Sequence, residues 1–361
     1  MARKLAFDRI LFAAVLLLTG LGLVMVYSST AVLAQKQGHS GNPLFLKQCV
    51  AAVLGIGAMV AIMHVDYRLL RKPVVLYAGL CGVVMMLVAV LFGPEINNAR
   101  RWFVIAGLSI QPSELAKLVV IPYLAYQIER KRDRLDDYAF LIPAVGVTGL
   151  CAALILAGKD LGTATLLCIP ACLLVFLAGI SLRWMLAGGL LLLPAMALAI
   201  FLQPYRMARL TGFLDPEGDP QGNGFQLLQS LIAVGSGGLF GLGPGHSVQK
   251  LHFLPSPHAD FVFSIVAEEL GFFGAMVVVG LFGVLLWRGV VAGQGAPDAF
   301  GRYLAWGFTA VLVIQGLMHV SVALGLSPTT GIPLPFISHG GSSLVTSLVA
   351  AGVILNVSQH G

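Results

Sequence analysis

Acidic and basic side chains are scarce in this chain, and several stand where an apolar run begins. In "LHFLPSPHADFVFSIVAEELGFFG" (251–274) Asp260 precedes a hydrocarbon-length segment, and Glu268 and Glu269 lie inside it. An aspartate at a helix start accepts backbone N–H groups and suits the helix dipole, so capping is one reading of Asp260. A general base at the rim of a polar cleft is the other. Glu268 follows by eight residues, which on a helix sets the two about 80° apart around the axis and about 12 Å apart along it. One cavity can take both, and ionisable groups at such depth mark function or internal pairing. Glu114 and Lys117 in "QPSELAK" (111–117) stand three apart, as an ion pair or as cavity residues. Asp160 in "GKDLGTA" (158–164) starts another apolar run, where capping again competes with chemistry. Arg100, Arg101 and Trp102 place two guanidiniums beside an indole. That set suits a diphosphate or a lipid headgroup, with internal pairing as the alternative.

The elements that must position these groups follow from composition. Of 361 residues, 58% are hydrophobic and 11% charged, and the mean hydropathy is +0.90. A soluble domain carries about a quarter charged residues, so this is an all-α integral membrane protein in a single polytopic unit spanning 1–361. Ten apolar segments, at roughly 8–33, 44–66, 73–94, 110–128, 138–158, 162–181, 184–202, 262–287, 302–325 and 340–357, are each near the length that crosses a bilayer. The first is too long for a signal-peptide core and reads as a retained span. Thirteen of the 22 lysines and arginines fall in one alternating set of connections, from Arg3, Lys4 and Arg9 through Arg130, Lys131, Arg132 and Arg134 to Arg302. The positive-inside rule puts that set and both termini in the cytoplasm. The net charge of +6 therefore belongs to membrane topology rather than to nucleic acid. Five cysteines inside apolar runs show no metal or disulfide spacing.

Every long or glycine-rich connection falls on the opposite, outer face, including a large extracytoplasmic loop, 203–261, between spans seven and eight. Within it, 224–238 reads as a short interfacial or packing helix with Leu227, Leu228, Leu231 and Ile232 on one stripe and Gln226, Gln229 and Ser230 on the other side. The glycine-rich run 235–245 is either a plain turn or a nest of N–H groups for phosphate. The last outer loop, 325–343, holds three prolines and four glycines, and backbone so irregular at membrane depth lines a cavity or is buried in protein. His319 faces that cavity or is bonded within the bundle. A zinc site from His252, His258 and Asp260 lacks further ligands at a familiar spacing, so no metal site is assigned. The sum is an outward cavity for a polar, phosphorylated, membrane-delivered substrate, which leaves enzyme and transporter both open.

Ordered motifs run along nearly the whole chain: "GLVMVYSST" (22–30), "NNARRW" (97–102), "QPSELAK", "DLGTA", "LAGISLRW" (177–184), "YRMARLTGFLDPEGDPQGNGFQLLQSLIAVGSGGLFGLG" (205–243), "QKLHFLPSPHADFVFSIVAEELG" (249–271) and "PTTGIPLPFISHGGSS" (328–343). In these the sequence resembles the SEDS family (shape, elongation, division and sporulation), with wording nearer its FtsW division branch than RodA. The resemblance implies ten membrane helices and a peptidoglycan polymerase. Such an enzyme joins lipid II into glycan strands at the outer face of the bacterial cytoplasmic membrane and releases undecaprenyl diphosphate. It implies Asp260 as general base and Arg100, Arg101 and Lys117 as diphosphate contacts. Trp102, Glu114, Asp160, Glu268, Gln249, Lys250 and Ser342 are implied as further substrate-binding positions. A class B penicillin-binding protein, with other divisome or elongasome proteins, is the implied partner. A divalent cation (Mg or Mn) accompanying the diphosphate is the one cofactor implied. A lipid II flippase and a RodA-type elongation polymerase are the alternatives. The family commonly has Gln-Pro where Gly158 and Lys159 stand, Asn at His319 and Tyr at His339. Lys159 is therefore a candidate partner for Asp160.

Overall fold

The computed structural model describes residues 7–36, 42–95, 99–105, 108–131, 135–201, 203–219, 222, 224–251 and 258–360. Arg3, Lys4, Arg132, Arg134 and His252 lie outside the described residues. Twelve α-helices form among them: α1 (Arg9–Lys36), α2 (Pro43–His64), α3 (Pro73–Leu91), α4 (Pro112–Arg130), α5 (Tyr138–Ala157), α6 (Leu161–Leu177), α7 (Leu182–Phe201), α8 (Pro204–Leu214), α9 (Phe225–Ser236), α10 (Val262–Gly295), α11 (Ala299–Ala323) and α12 (Gly341–Ser358). Sequence dictates several starts. Pro43, Pro73, Pro112 and Pro204 open their helices, where a missing N–H is harmless. Asn42, Asp160 and Asp298 accept the N–H of Phe45, Thr163 and Gly301 as caps.

Six helices, α1, α2, α3, α10, α11 and α12, are long and apolar enough to cross a membrane. The protein is a multi-pass, helical membrane protein. Long helices also occupy the other four ranges expected to be spans, in α4, α5, α6 and α7. Small residues let neighbours approach closely, as membrane packing favours. A Cβ on Gly352 would lie 2.9 Å from Met59 O, and one on Gly55 would lie 2.5 Å from Leu348 Cδ1, so α2 and α12 run backbone to backbone. Asn356 fastens the far end of that pair, donating to Ile62 O, Met63 O and Val65 O and accepting from Tyr67 N.

Two local elements depart from the purely helical reading. Phe103–Ile105 (β1) and Leu108–Ile110 (β2) form an antiparallel hairpin with Phe103 opposite Ile110. The β-branched Val104, Ile105 and Ile110 favour the extended strands. The amphipathic α8 follows Pro204 inside the loop that had been read without a helix there. In α9 the stripe reading is corrected. The buried side is Leu227, Ser230 and Ala233, while Leu231 and Ile232 are exposed. Ser230 turns inward because its hydroxyl meets Ser264 Oγ at 2.6 Å and donates to Ala323 O at 2.8 Å.

The largest departure is in α10. It was read as one uninterrupted span, but Gly271 (φ 68°, ψ −168°) breaks it. The glycine-rich run enters the break. Phe272 and Phe273 donate to the carbonyls of Gly238 and Leu239, and Leu242 and Gly243 donate to those of Glu268 and Glu269. The exposed backbone of each segment is satisfied by the other, as an apolar setting demands. This consumes N–H groups that the phosphate-nest reading needed. A Cβ on Gly271 would stand 2.3 Å from Gly241 N, and its φ and ψ are accessible in practice only to glycine. Gly271→Ala is expected to destabilise the detergent-solubilised protein by about 1–3 kcal/mol, measured as a lowered midpoint in thermal unfolding. An unchanged midpoint would mean that the break relaxes without strain.

Candidate functional site

Asp260 is the last polar residue before α10, yet it caps nothing. The N-cap is Phe261, and no side chain caps the helix. The segment is instead sewn to the 325–343 loop: Ser338 Oγ donates to Ala259 O at 2.7 Å, and His339 N to His258 O at 2.8 Å. The Asp260 carboxylate lies over Gly331, where an added Cβ would be 3.7 Å from Oδ2. It forms no hydrogen bond or ion pair among the described residues. It opens into a cavity of about 450 Å³ whose wall includes Arg101, Asp160, Arg206, Arg209, Asp260 and Gly331.

The cations are held by two elements. Arg101, at the foot of the hairpin, reaches 3.7 Å from Asp160 Oδ2, and its buried Nε has no acceptor. Arg206 and Arg209 project from one face of α8. Arg209 Nη1 donates to Thr329 O at 2.9 Å, and its guanidinium stacks 4.6 Å over the ring of Tyr205, whose hydroxyl it also meets. Burial pushes the Asp260 carboxyl above the ordinary aspartate range; Arg209 and Arg101 oppose that push, and Asp160 adds to it. The second carboxylate, Asp160, caps α6 through Thr163 N and also accepts from Gln111 Nε2 at 2.9 Å. Lys159 pairs with Glu95 at 2.9 Å rather than with Asp160. Among the described residues no three His, Cys, Asp or Glu side chains gather as a metal group would need.

The other positions singled out in the sequence have internal partners or lie off this cavity. Glu114 and Lys117 form a buried ion pair at 2.9 Å, extended to Thr346 and to Gln315, whose amide donates to Pro333 O. Glu268 does not share the Asp260 cavity. It accepts from Ser247 Oγ and from the N–H of Val248 and Gln249. Lys250 is buried against Glu269 at 2.7 Å and Ser28 at 2.9 Å, and Gln249 is buried beside it. Arg100 donates to Leu91 O and stays exposed. Trp102 precedes β1 and does not line the cavity. His319 is bonded within the bundle, to Ile332 O at 2.8 Å, and the Ser342 hydroxyl is buried with no partner. Sequence reading gave Arg206 and Arg209 no role. Two arginines three apart in a connection expected on the outer face, where basic residues are disfavoured, are the available signal.

A family model described as "Cell cycle protein" (FtsW/RodA/SpoVE) matches residues 8–361. The chain is 39% identical to the "Probable peptidoglycan glycosyltransferase FtsW" of Geobacter sp. (strain M18), over 100% of this chain and 99% of that protein. It is 40% identical to stage V sporulation protein E of Bacillus subtilis (strain 168), over 99% and 98% respectively. Among solved structures, one described as "Structural coordination of polymerization and crosslinking by a peptidoglycan synthase complex" contains a chain that superposes with a TM-score of 0.80 at 34% identity, covering 98% of both chains. The crystal structure of the Thermus thermophilus rod shape determining protein RodA superposes with a TM-score of 0.72 at 32% identity, covering 98% of this chain and 97% of that one.

Proposed function

This chain belongs to the FtsW/RodA/SpoVE family of cell cycle proteins, the SEDS family its motifs resemble, and we propose that Asp260 is the general base of its reaction. The protein is a peptidoglycan glycosyltransferase, a polymerase acting in cell division. The observation that carries the assignment is a carboxylate without a hydrogen-bond partner among the described residues, facing a cavity that also holds Arg101, Arg206 and Arg209. A sugar hydroxyl of one lipid II comes within hydrogen-bond reach of Asp260 and gives up its proton as its oxygen bonds to the anomeric carbon of the lipid-linked strand. The bond from that carbon to the diphosphate breaks. Undecaprenyl diphosphate leaves with the electron pair, and the arginines meet the charge that develops. A divalent ion would arrive on the substrate's own phosphate oxygens, with Asp160 the nearby carboxylate, and would neutralise diphosphate charge; adding EDTA reads its contribution. All ten long helices span a bacterial cytoplasmic membrane with both termini inside, so the cavity opens outward. A class B penicillin-binding protein crosslinks the product, in keeping with the polymerisation and crosslinking named for the synthase complex.

The test is polymerisation of labelled lipid II by the purified chain with its penicillin-binding partner, transpeptidation blocked. Glycan ladders are expected. No ladders, together with lipid II crossing proteoliposome membranes, would replace the polymerase with a flippase. The pH profile tests the base itself. Asp260 must be ionised to act, and its pKa is raised, so activity falls as pH drops through that pKa. Arg209→Gln removes a cation that holds the value down and moves the acid limb to higher pH; Asp160→Asn moves it to lower pH. An acid limb that stays fixed in both variants would assign it to another group.

A further inference from the structure

Bonded to the backbone that leads into Asp260, the stretch His339–Ser343 turns into α12. Three buried polar atoms fall within these five residues without a partner among the described residues: His339 Nδ1, Ser342 Oγ and Ser343 Oγ. Ser343 is 5% exposed, and its Cβ lies 3.6 Å from where a Cβ on Gly340 would be, so it packs against the turn. The helix start has no side-chain cap. An 18-residue helix directs partial positive charge and free N–H groups at that point. Gln48 of α2, 1% exposed, locks the turn: its amide donates to Ser338 O at 3.1 Å and its carbonyl accepts from Gly340 N at 3.2 Å. Lys47, the neighbouring residue on α2, is exposed and supplies a full charge near His339. Burial, then His258 and Lys47, push the His339 imidazole down to about 4. At neutral pH it therefore meets a ligand uncharged, with one N–H to give.

Orphaned donors are rare in folded proteins, and several together at a helix N-terminus beside a lysine fit an anion. We propose that the α12 N-terminus, with Ser342, Ser343, His339 and Lys47, is a second anion subsite that takes the diphosphate of the second lipid-linked substrate. This rests on the polymerase reading, which requires two such substrates at one base. The turn is bonded directly to residues 258 and 259, so a diphosphate seated there holds its sugar next to Asp260 while the arginine cavity holds the other. An anionic phospholipid headgroup offers the same chemistry.

Binding of labelled inorganic diphosphate to the full-length protein, without turnover, separates this proposal from the reaction. Two sites per chain are expected. Lys47→Glu, on an exposed side chain, and Ser342→Ala with Ser343→Ala should each weaken one site about 10- to 100-fold, the range for hydrogen bonds to a charged group. Arg209→Gln should weaken the other. Nanodiscs containing phosphatidylglycerol that compete at the Lys47-dependent site, where phosphatidylcholine does not, would support the anion site with a headgroup as occupant. A single site in the wild type, or two sites unaltered by Lys47→Glu and by the serine pair, would overturn the proposal. Retained thermal midpoints show that the variants are folded.

Discussion

Replacing Asp260 with Asn should lower lipid II polymerisation by about 10²–10⁴-fold, the usual contribution of a positioned general base. Asparagine has nearly the same shape and loses only the ability to accept a proton. The carboxylate makes no hydrogen bond or ion pair among the described residues and caps no helix, so no such bond is lost with its charge. Burial also disfavours that charge, so the amide should fold at least as well. The prediction is thus an inactive protein with an undiminished thermal midpoint and intact binding to its transpeptidase. Equal ladders from wild type and variant would remove Asp260 as the base and leave Asp160, the other carboxylate on the cavity wall.

The second large effect belongs to stability. Lys250 and Glu269 are 2% and 1% exposed in their side chains and meet at 2.7 Å. Lys250→Met leaves Glu269 charged and buried with only Ser28 Oγ and Gly245 N as donors. Breaking a buried pair from one side costs about 3–5 kcal/mol, whereas removing both charges is often close to neutral. The single variant should therefore unfold at a much lower temperature in detergent. Lys250→Met combined with Glu269→Gln should recover most of the loss. A double variant as unstable as the single would assign the effect to packing of the lysine stem.

The ranges of the ten long helices were legible because each is a continuous apolar run bounded by polar loops, and lipid permits little besides helix. Asp260, Arg101 and Asp160 were legible because charge is conspicuous in such a chain. What stayed hidden depends on long-range partners. Glu268 and Asp260 share a helix in sequence, but Glu268 turns to the N–H groups of Val248 and Gln249, which no spacing rule anticipates. Lys250 meets a carboxylate nineteen residues on, a partner that its own stretch of sequence does not announce. Gly271 sits within an unbroken apolar run, and only the loop folded against it reveals why it is glycine. Arg206 and Arg209 were overlooked because their helix, α8, is too short and too polar to resemble a span.

The break at Gly271 also separates two mechanical regimes. A bilayer that thickens or thins tilts the helices embedded in it. Inward of the break, α10 is a long apolar rod, 22% buried over its most apolar stretch, and follows the lipid. On the Asp260 side of it, the turns leading back to that residue are tied to the glycine-rich loop by Leu242 and Gly243, and through Ser338 and His339 to the 325–343 loop. Gly271 is the joint at which such a tilt would be taken up before it reached the carboxylate.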